Sequence, residues 1–209
     1  MSEAEISAFI SAIKGHQFET LYLVTLFTGM RQGEILGLTW DTVDLQNGTI
    51  LICHQLQRID GIYEFVSLKN DKTRTLTLPP YLIKLLHEHR ATQNQWRLMA
   101  GTAWITNNLV FTNQLGGNLA HVTVSTNYKK IVKSLNLPNA RFHDLRHSYA
   151  VAALQSGDDI KTVQENLGHH TAAFTMDVYG HVSERMKQES ANRMENFIKT
   201  VNNIPQGSR

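Results

Sequence analysis

The 209 residues carry 20 lysines and arginines against 18 acids, 42% hydrophobic residues and one cysteine. A net charge of +2 permits a polyanionic partner without demanding one, and the composition is that of a soluble globular chain, neither disordered nor membrane-embedded. No apolar run nears the ~20 residues of a membrane helix and no basic-then-apolar leader opens the chain, while Cys53 alone excludes a disulfide framework and a cysteine metal site. One domain of mixed fold is expected, acting in the cytoplasm with no membrane partner.

Ser2 and Glu5 have the spacing of a capping box, and Ile6, Phe9, Ile10 and Ile13 follow at helical spacing until Gly15. The apolar stretch from Phe18 to Thr28 reads as a second helix closed by Gly29, and Arg31 to Leu38 restarts a short one, which leaves Arg31 at a junction. From Thr49 the period changes. TILIC, IYEFVSL and TRTLTLP read as three strands of one small antiparallel sheet, with turns at Asp60-Gly61 and Asn70-Asp71 and with Lys69 at the second hairpin tip. Pro79-Pro80 opens a long helix through Leu82, Leu85, Leu86 and His89; Leu109 to Phe111 is a short extended piece, and Gly116-Gly117 a turn. Val122 to Leu135 is a helix with Lys129, Lys130 and Lys133 on its polar face.

The stretch from Arg141 to His181 holds two arginines, five histidines and two tyrosines, Tyr149 and Tyr179, with short helical runs. Leu145, Tyr149, Ala152 and Ala153 mark one helix, ended by Gly157. Asp158 or Asp159 caps a second, ended by Gly168, and Thr171 caps a third that carries Tyr179. Met194, Phe197, Ile198 and Val201 then line a C-terminal amphipathic helix. The fold class is therefore α/β mixed (α+β), mainly helical, with a small three-stranded antiparallel sheet.

His143 and His147 lie four apart and share a helical face, as zinc ligands do. The intervening Asp-Leu-Arg would set a guanidinium beside the metal and provides no general-base glutamate, so no metal is expected. Arginine and histidine donors suit the non-bridging oxygens of a phosphodiester, and a pentavalent phosphorane carries extra negative charge that such donors stabilise most in the transition state. Tyr179 is the candidate nucleophile. Its phenol needs a neighbouring base or strongly positive surroundings to react at neutral pH, and this stretch is rich in both.

At these residues the chain resembles the catalytic domain of the tyrosine recombinases, the phage integrase family, over nearly all its length. Thr28-Gly29-Met30-Arg31-Gln32-Gly33-Glu34-Ile35 resembles the first arginine box, His143-Asp144-Leu145-Arg146-His147 the H-x-L-R-H box, Leu167-Gly168-His169 the L-G-H box and Tyr179-Gly180-His181-Val182 the nucleophile box. The wording from 172 to 182 is similar to integrases of Gram-positive conjugative transposons and prophages. The resemblance implies that Tyr179 attacks a DNA phosphate to give a 3′-phosphotyrosyl link and a free 5′-hydroxyl. Arg31, Arg146 and His169 bind the phosphate, Lys69 is the general acid and His143 the general base, with no cofactor. His170 competes with His169, which lies ten residues before Tyr179, for its place. His147, His181 and Glu34 are supporting residues, and Lys72, Arg74, Lys129, Lys130 and Lys133 are candidate DNA phosphate contacts.

The implied activity is site-specific DNA strand exchange for a mobile element or prophage. DNA relaxation of the type IB topoisomerase kind shares this chemistry, and a non-catalytic DNA-binding module is a further alternative. The implied partner is double-stranded DNA at a recombination site, bound by a tetramer of the full-length protein, with the isolated domain a monomer and the C-terminal helix docked on a neighbouring protomer. Because the family's N-terminal core-binding and arm-binding domains have no counterpart in residues 1–209, the chain is expected to be the catalytic domain of a longer protein.

Overall fold

A computed structural model of the chain describes residues 1–68, 73–168 and 183–202. Eight helices, α1 (Glu3–Ile13), α2 (Glu19–Thr28), α3 (Gln32–Leu36), α4 (Pro80–Ala100), α5 (His121–Ser134), α6 (Asp144–Gln155), α7 (Ile160–Leu167) and α8 (Ser183–Asn202), are found among the described residues. Five short strands, β1 (Val43–Asp44), β2 (Thr49–Ile52), β3 (Gln55–Ile59), β4 (Ile62–Val66) and β5 (Arg74–Thr77), lie between α3 and α4. The mixed, mainly helical fold expected from the sequence is borne out. No helix of the described residues is long and apolar enough to cross a membrane.

The helix α2 is the centre of the fold. Leu21, Tyr22, Leu23, Val24 and Leu26 are all buried, so the helix is covered on nearly every side, and each such aliphatic side chain contributes about 1.5–3 kcal/mol by leaving water. Around it an aromatic hub of Phe9, Tyr22, Tyr128 and Phe142, with ring centroids 5.5 to 6.1 Å apart, joins α1, α2, α5 and the entry to α6. The Tyr22 hydroxyl donates to Val124 O at 2.9 Å, which satisfies the polar end of a ring that is otherwise in the core. A second, smaller core of Ala150, Ala153, Leu154, Val163 and Leu167 holds α6 against α7. This satellite positions Arg146 on α6 and the C-terminal end of α7.

The strands form two sheets where the sequence pattern suggested one. In the first, β2 pairs with β1 on one side and β5 on the other, all antiparallel, with Ile50 opposite Leu76 on the buried face and Leu51 turned outward. In the second, β4 pairs with β3 across a turn at Asp60 (φ 49°) and Gly61 (φ 90°), the geometry of a tight type I′ hairpin. The alternation of apolar and polar residues passes over β3 because Leu56 is its one buried residue, and a mostly solvent-facing hairpin leaves little hydrophobic period to read. The expected turn at Asn70-Asp71 lies outside the described residues.

Candidate active site

The site is built where three helix ends meet. The helix α2 stops at Gly29, whose φ of 66° is a left-handed cap, and a β-carbon there would stand 2.6 Å from both Leu167 Cδ2 and Tyr149 Cδ1. Only glycine lets the end of α2 approach α6 and α7 so closely. The chain then turns through the buried Met30 to Arg31, which caps α3. Gln32 ties α3 to α5 by donating to His121 O and Ser125 Oγ, each at 2.9 Å.

Arg146 comes from the first turn and a half of α6 and is 1% exposed. Its Nη1 donates to Gly29 O at 2.6 Å and its Nη2 to Leu167 O at 2.5 Å. The guanidinium thus lies between the C-terminal ends of α2 and α7, where two sets of unpaired carbonyls and the negative ends of two helix dipoles favour a cation. Burial, together with the charge of Arg31, lowers its pKa to about 9, partly opposed by Glu34, so it stays protonated at neutral pH.

Arg31 is the more open of the pair, with its side chain 30% exposed. One Nη donates to Glu34 Oε1 at 2.7 Å and the other reaches Gly168 O at 3.4 Å. Glu34 is 1% exposed and binds on both oxygens: Oε2 also accepts the backbone N–H of Arg31 at 2.8 Å. Burial by itself would raise this carboxyl, but the hydrogen bonds and charges of Arg74 and Arg31 outweigh it and hold the pKa down to about 2.

Arg74 joins the same carboxylate. Its side chain is 9% exposed, with Nη1 and Nη2 on the two oxygens of Glu34 at 3.0 and 2.6 Å and Nε on Asn166 O at 2.7 Å. The guanidinium is thus committed to a carboxylate and a carbonyl of the protein itself. Lys129, Lys130 and Lys133 are exposed on α5, outside this cluster. Lys69, Lys72, His169, His170, Tyr179 and His181 lie outside the described residues.

His143 immediately precedes α6, with its ring centroid 4.9 Å from that of His147. Cover on its inner face, then the charges of His147 and Arg146, lower its pKa against the opposing pull of Asp144. At neutral pH the ring is therefore uncharged and able to accept a proton. Asp144 accepts the backbone N–H of Arg141 at 2.8 Å and sets a carboxylate oxygen 3.9 Å from His147 Nε2.

Residues 1–186 match the sequence profile described as "Phage integrase family". The chain belongs to the phage integrase family. Among curated relatives, "Tyrosine recombinase XerC-like" of Caldanaerobacter subterraneus subsp. tengcongensis is 32% identical over 216 residues, covering 97% of this chain and 54% of its own. "ICEBs1 integrase" of Bacillus subtilis is 28% identical, over 93% of this chain and 53% of its own. A solved Tn1549 transposon integrase, in complex with transposon right end DNA, shares the fold with a TM-score of 0.77 at 20% identity, over 93% of this chain and 65% of that one. The chain spans about half the length of the curated relatives it matches.

Within this integrase-family domain the structure brings together Arg31, Glu34 and Arg146, with His143 at the start of the helix that carries Arg146. It adds Arg74, Asn166 and the carbonyls of Leu167 and Gly168, whose part in the site the sequence did not reveal. The one signal for Glu34 was its position three residues after Arg31 at a helix start, where a carboxylate reaches back to the cap. Nothing local pointed to the bonds of Arg74 with Glu34 and Asn166, because these partners lie 40 and 92 residues away.

Proposed function

We propose that this domain cleaves and rejoins DNA at specific sites through a 3′-phosphotyrosyl intermediate, in the service of a mobile element or prophage. The carrying observation is the arginine cluster. Among the described residues, Arg31, Arg74 and Arg146 gather around one carboxylate, Glu34, so the described part of the cluster carries a net charge of +2. A phosphodiester carries one negative charge and its phosphorane two; a preorganised cationic site of this kind lowers the barrier because the attraction grows as the reaction proceeds.

In this reading Tyr179 Oη attacks the scissile phosphorus, its proton passing to uncharged His143, while the bond to the 5′-oxygen breaks and Lys69 supplies the proton to that leaving oxygen. Arg31, Arg146 and His169 hold the non-bridging oxygens. Attack by the 5′-hydroxyl of a partner strand reverses the step and releases the tyrosine. The names of the relatives, recombinases and integrases, support exchange between sites over relaxation of a single duplex.

The exposed apolar stripe of α8, with Met194 at 59% and Phe197 at 63%, supports docking of this helix on a neighbouring protomer in a tetramer of the full-length protein on DNA. The site of action is the cytoplasm, where the DNA is. The test uses the full-length protein and nicked suicide duplexes tiled across the DNA that flanks its gene. A covalent protein–DNA adduct is expected, and Tyr179→Phe abolishes it. An adduct that survives Tyr179→Phe, or no adduct across the whole flanking region, overturns the mechanism.

A further inference from the structure

The last three carbonyls of the α7 region each accept from a different arginine: Asn166 O from Arg74, Leu167 O from Arg146 and Gly168 O from Arg31. Two of those arginines belong to the chemistry proposed above. Arg74 is the third, and it bonds both oxygens of Glu34 as well as the α7 end. Its guanidinium lies flat against Gly168, with Nη1 3.0 Å and Cδ 3.3 Å from where a β-carbon would stand.

A carboxylate has about four lone-pair sites, and here all four are taken. Glu34 Oε1 accepts from Arg31 Nη1 at 2.7 Å and Arg74 Nη1 at 3.0 Å, while Oε2 accepts from Arg74 Nη2 at 2.6 Å and Arg31 N at 2.8 Å. Because Arg74 holds two of the four, Arg31 is left with a single side-chain bond to Glu34. The remainder of its fork stays available, on a side chain that is 30% exposed. Without Arg74 the vacated sites would let the Arg31 fork close bidentately on Glu34, the preferred geometry of an arginine–carboxylate pair.

We propose that Arg74 is a positioning residue: by saturating Glu34 and bracing the α7 end at Asn166 and Gly168, it holds Arg31 in the monodentate pose that leaves its donors free for a scissile phosphate. It never meets DNA itself. This inference rests on the strand-cleavage reading, and the two fail separately: wild-type protein must form the adduct, and Tyr179→Phe must not, before any Arg74 variant is compared.

The experiment measures single-turnover cleavage at saturating suicide duplex, duplex affinity at several salt concentrations, and thermal unfolding, all on the full-length protein. Arg74→Met is expected to slow cleavage per folded molecule about 100-fold, the effect of misplacing a catalytic group by about an ångström. Its affinity stays within about twofold, with the salt slope unchanged. Arg74→Lys keeps the charge but cannot span both Glu34 oxygens and Asn166 O, so it remains at least about tenfold slow. A salt slope lowered by about one with normal cleavage at saturation would make Arg74 a DNA contact and overturn the proposal. Arg74→Lys cleaving within about threefold of wild type per folded molecule would reduce Arg74 to a structural charge and overturn it too, and that comparison decides the matter if Arg74→Met does not fold.

Discussion

Gly29→Ala separates two costs that the structure predicts to be different in size. An L residue held at the φ of 66° found here loses about 1–2 kcal/mol to backbone strain. The added methyl must also displace the Leu167 and Tyr149 side chains, each 2.6 Å from its position, and overpacking of this kind costs about 1–3 kcal/mol. Gly15→Ala is the control: its φ is 75°, but nothing lies within 4 Å of the new β-carbon, so only the strain applies. For a domain of this size each kcal/mol moves Tm by about 2–4 °C, which predicts a loss of roughly 4–20 °C for Gly29→Ala and about 2–8 °C for Gly15→Ala. Gly29 O is also an acceptor for Arg146, so a shifted cap moves that guanidinium, and cleavage per folded molecule is expected to fall about 100-fold in Gly29→Ala alone. Urea unfolding of both variants, with suicide-duplex cleavage at a temperature where both are folded, makes the comparison. Equal destabilisation of the two variants within about 0.5 kcal/mol would show that the close approach of α2 to α6 and α7 is not what the glycine serves.

The Glu34 carboxyl, held down to about 2 from an ordinary 4.5, contributes roughly 3 kcal/mol of stability at neutral pH. Since the folded pKa is the lower one, that contribution is complete above pH 4.5 and is lost as pH falls toward 2. The stability gap between wild type and Glu34→Gln, followed by urea unfolding at stepped pH, should therefore narrow through this window, and a gap that stays constant contradicts the buried ionised carboxylate. For His143 the lowered pKa places the acid limb of the single-turnover cleavage profile below the ordinary 6.5, and His143→Gln should remove that limb. A limb at or above 6.5, or one that persists in the variant, would take the base role away from His143.

Much of the frame was legible because its signals are local. The capping box of Ser2 and Glu5, the glycine that ends α2, the prolines that open α4 and the Asp159 cap of α7 each act within a few residues of themselves, and each stands where the pattern placed it. The arginine boxes were legible for the same reason: Arg31 sits at a helix junction and Arg146 on the first turns of α6 regardless of the remaining fold. The hairpin strand β3 was not, since a strand with one buried residue has no hydrophobic period.

Arg74 shows where local reading ends. In the sequence it is a basic residue just beyond a predicted turn with two lysines, the ordinary setting of a solvent-facing DNA contact. In the structure it is a partly buried brace, because Glu34, 40 residues earlier, and Asn166, 92 residues later, converge on it. The sequence alone determined which residue types are available for phosphoryl transfer and the order of the elements that carry them. Only the tertiary structure decided their division of labour: Arg146 sealed against Gly29 O across 117 residues, Arg31 reaching Gly168 O across 137 and kept half free by Arg74. The physical reason is that a guanidinium's partners are the acceptors that folding brings within hydrogen-bond reach, and residue identity alone does not name them.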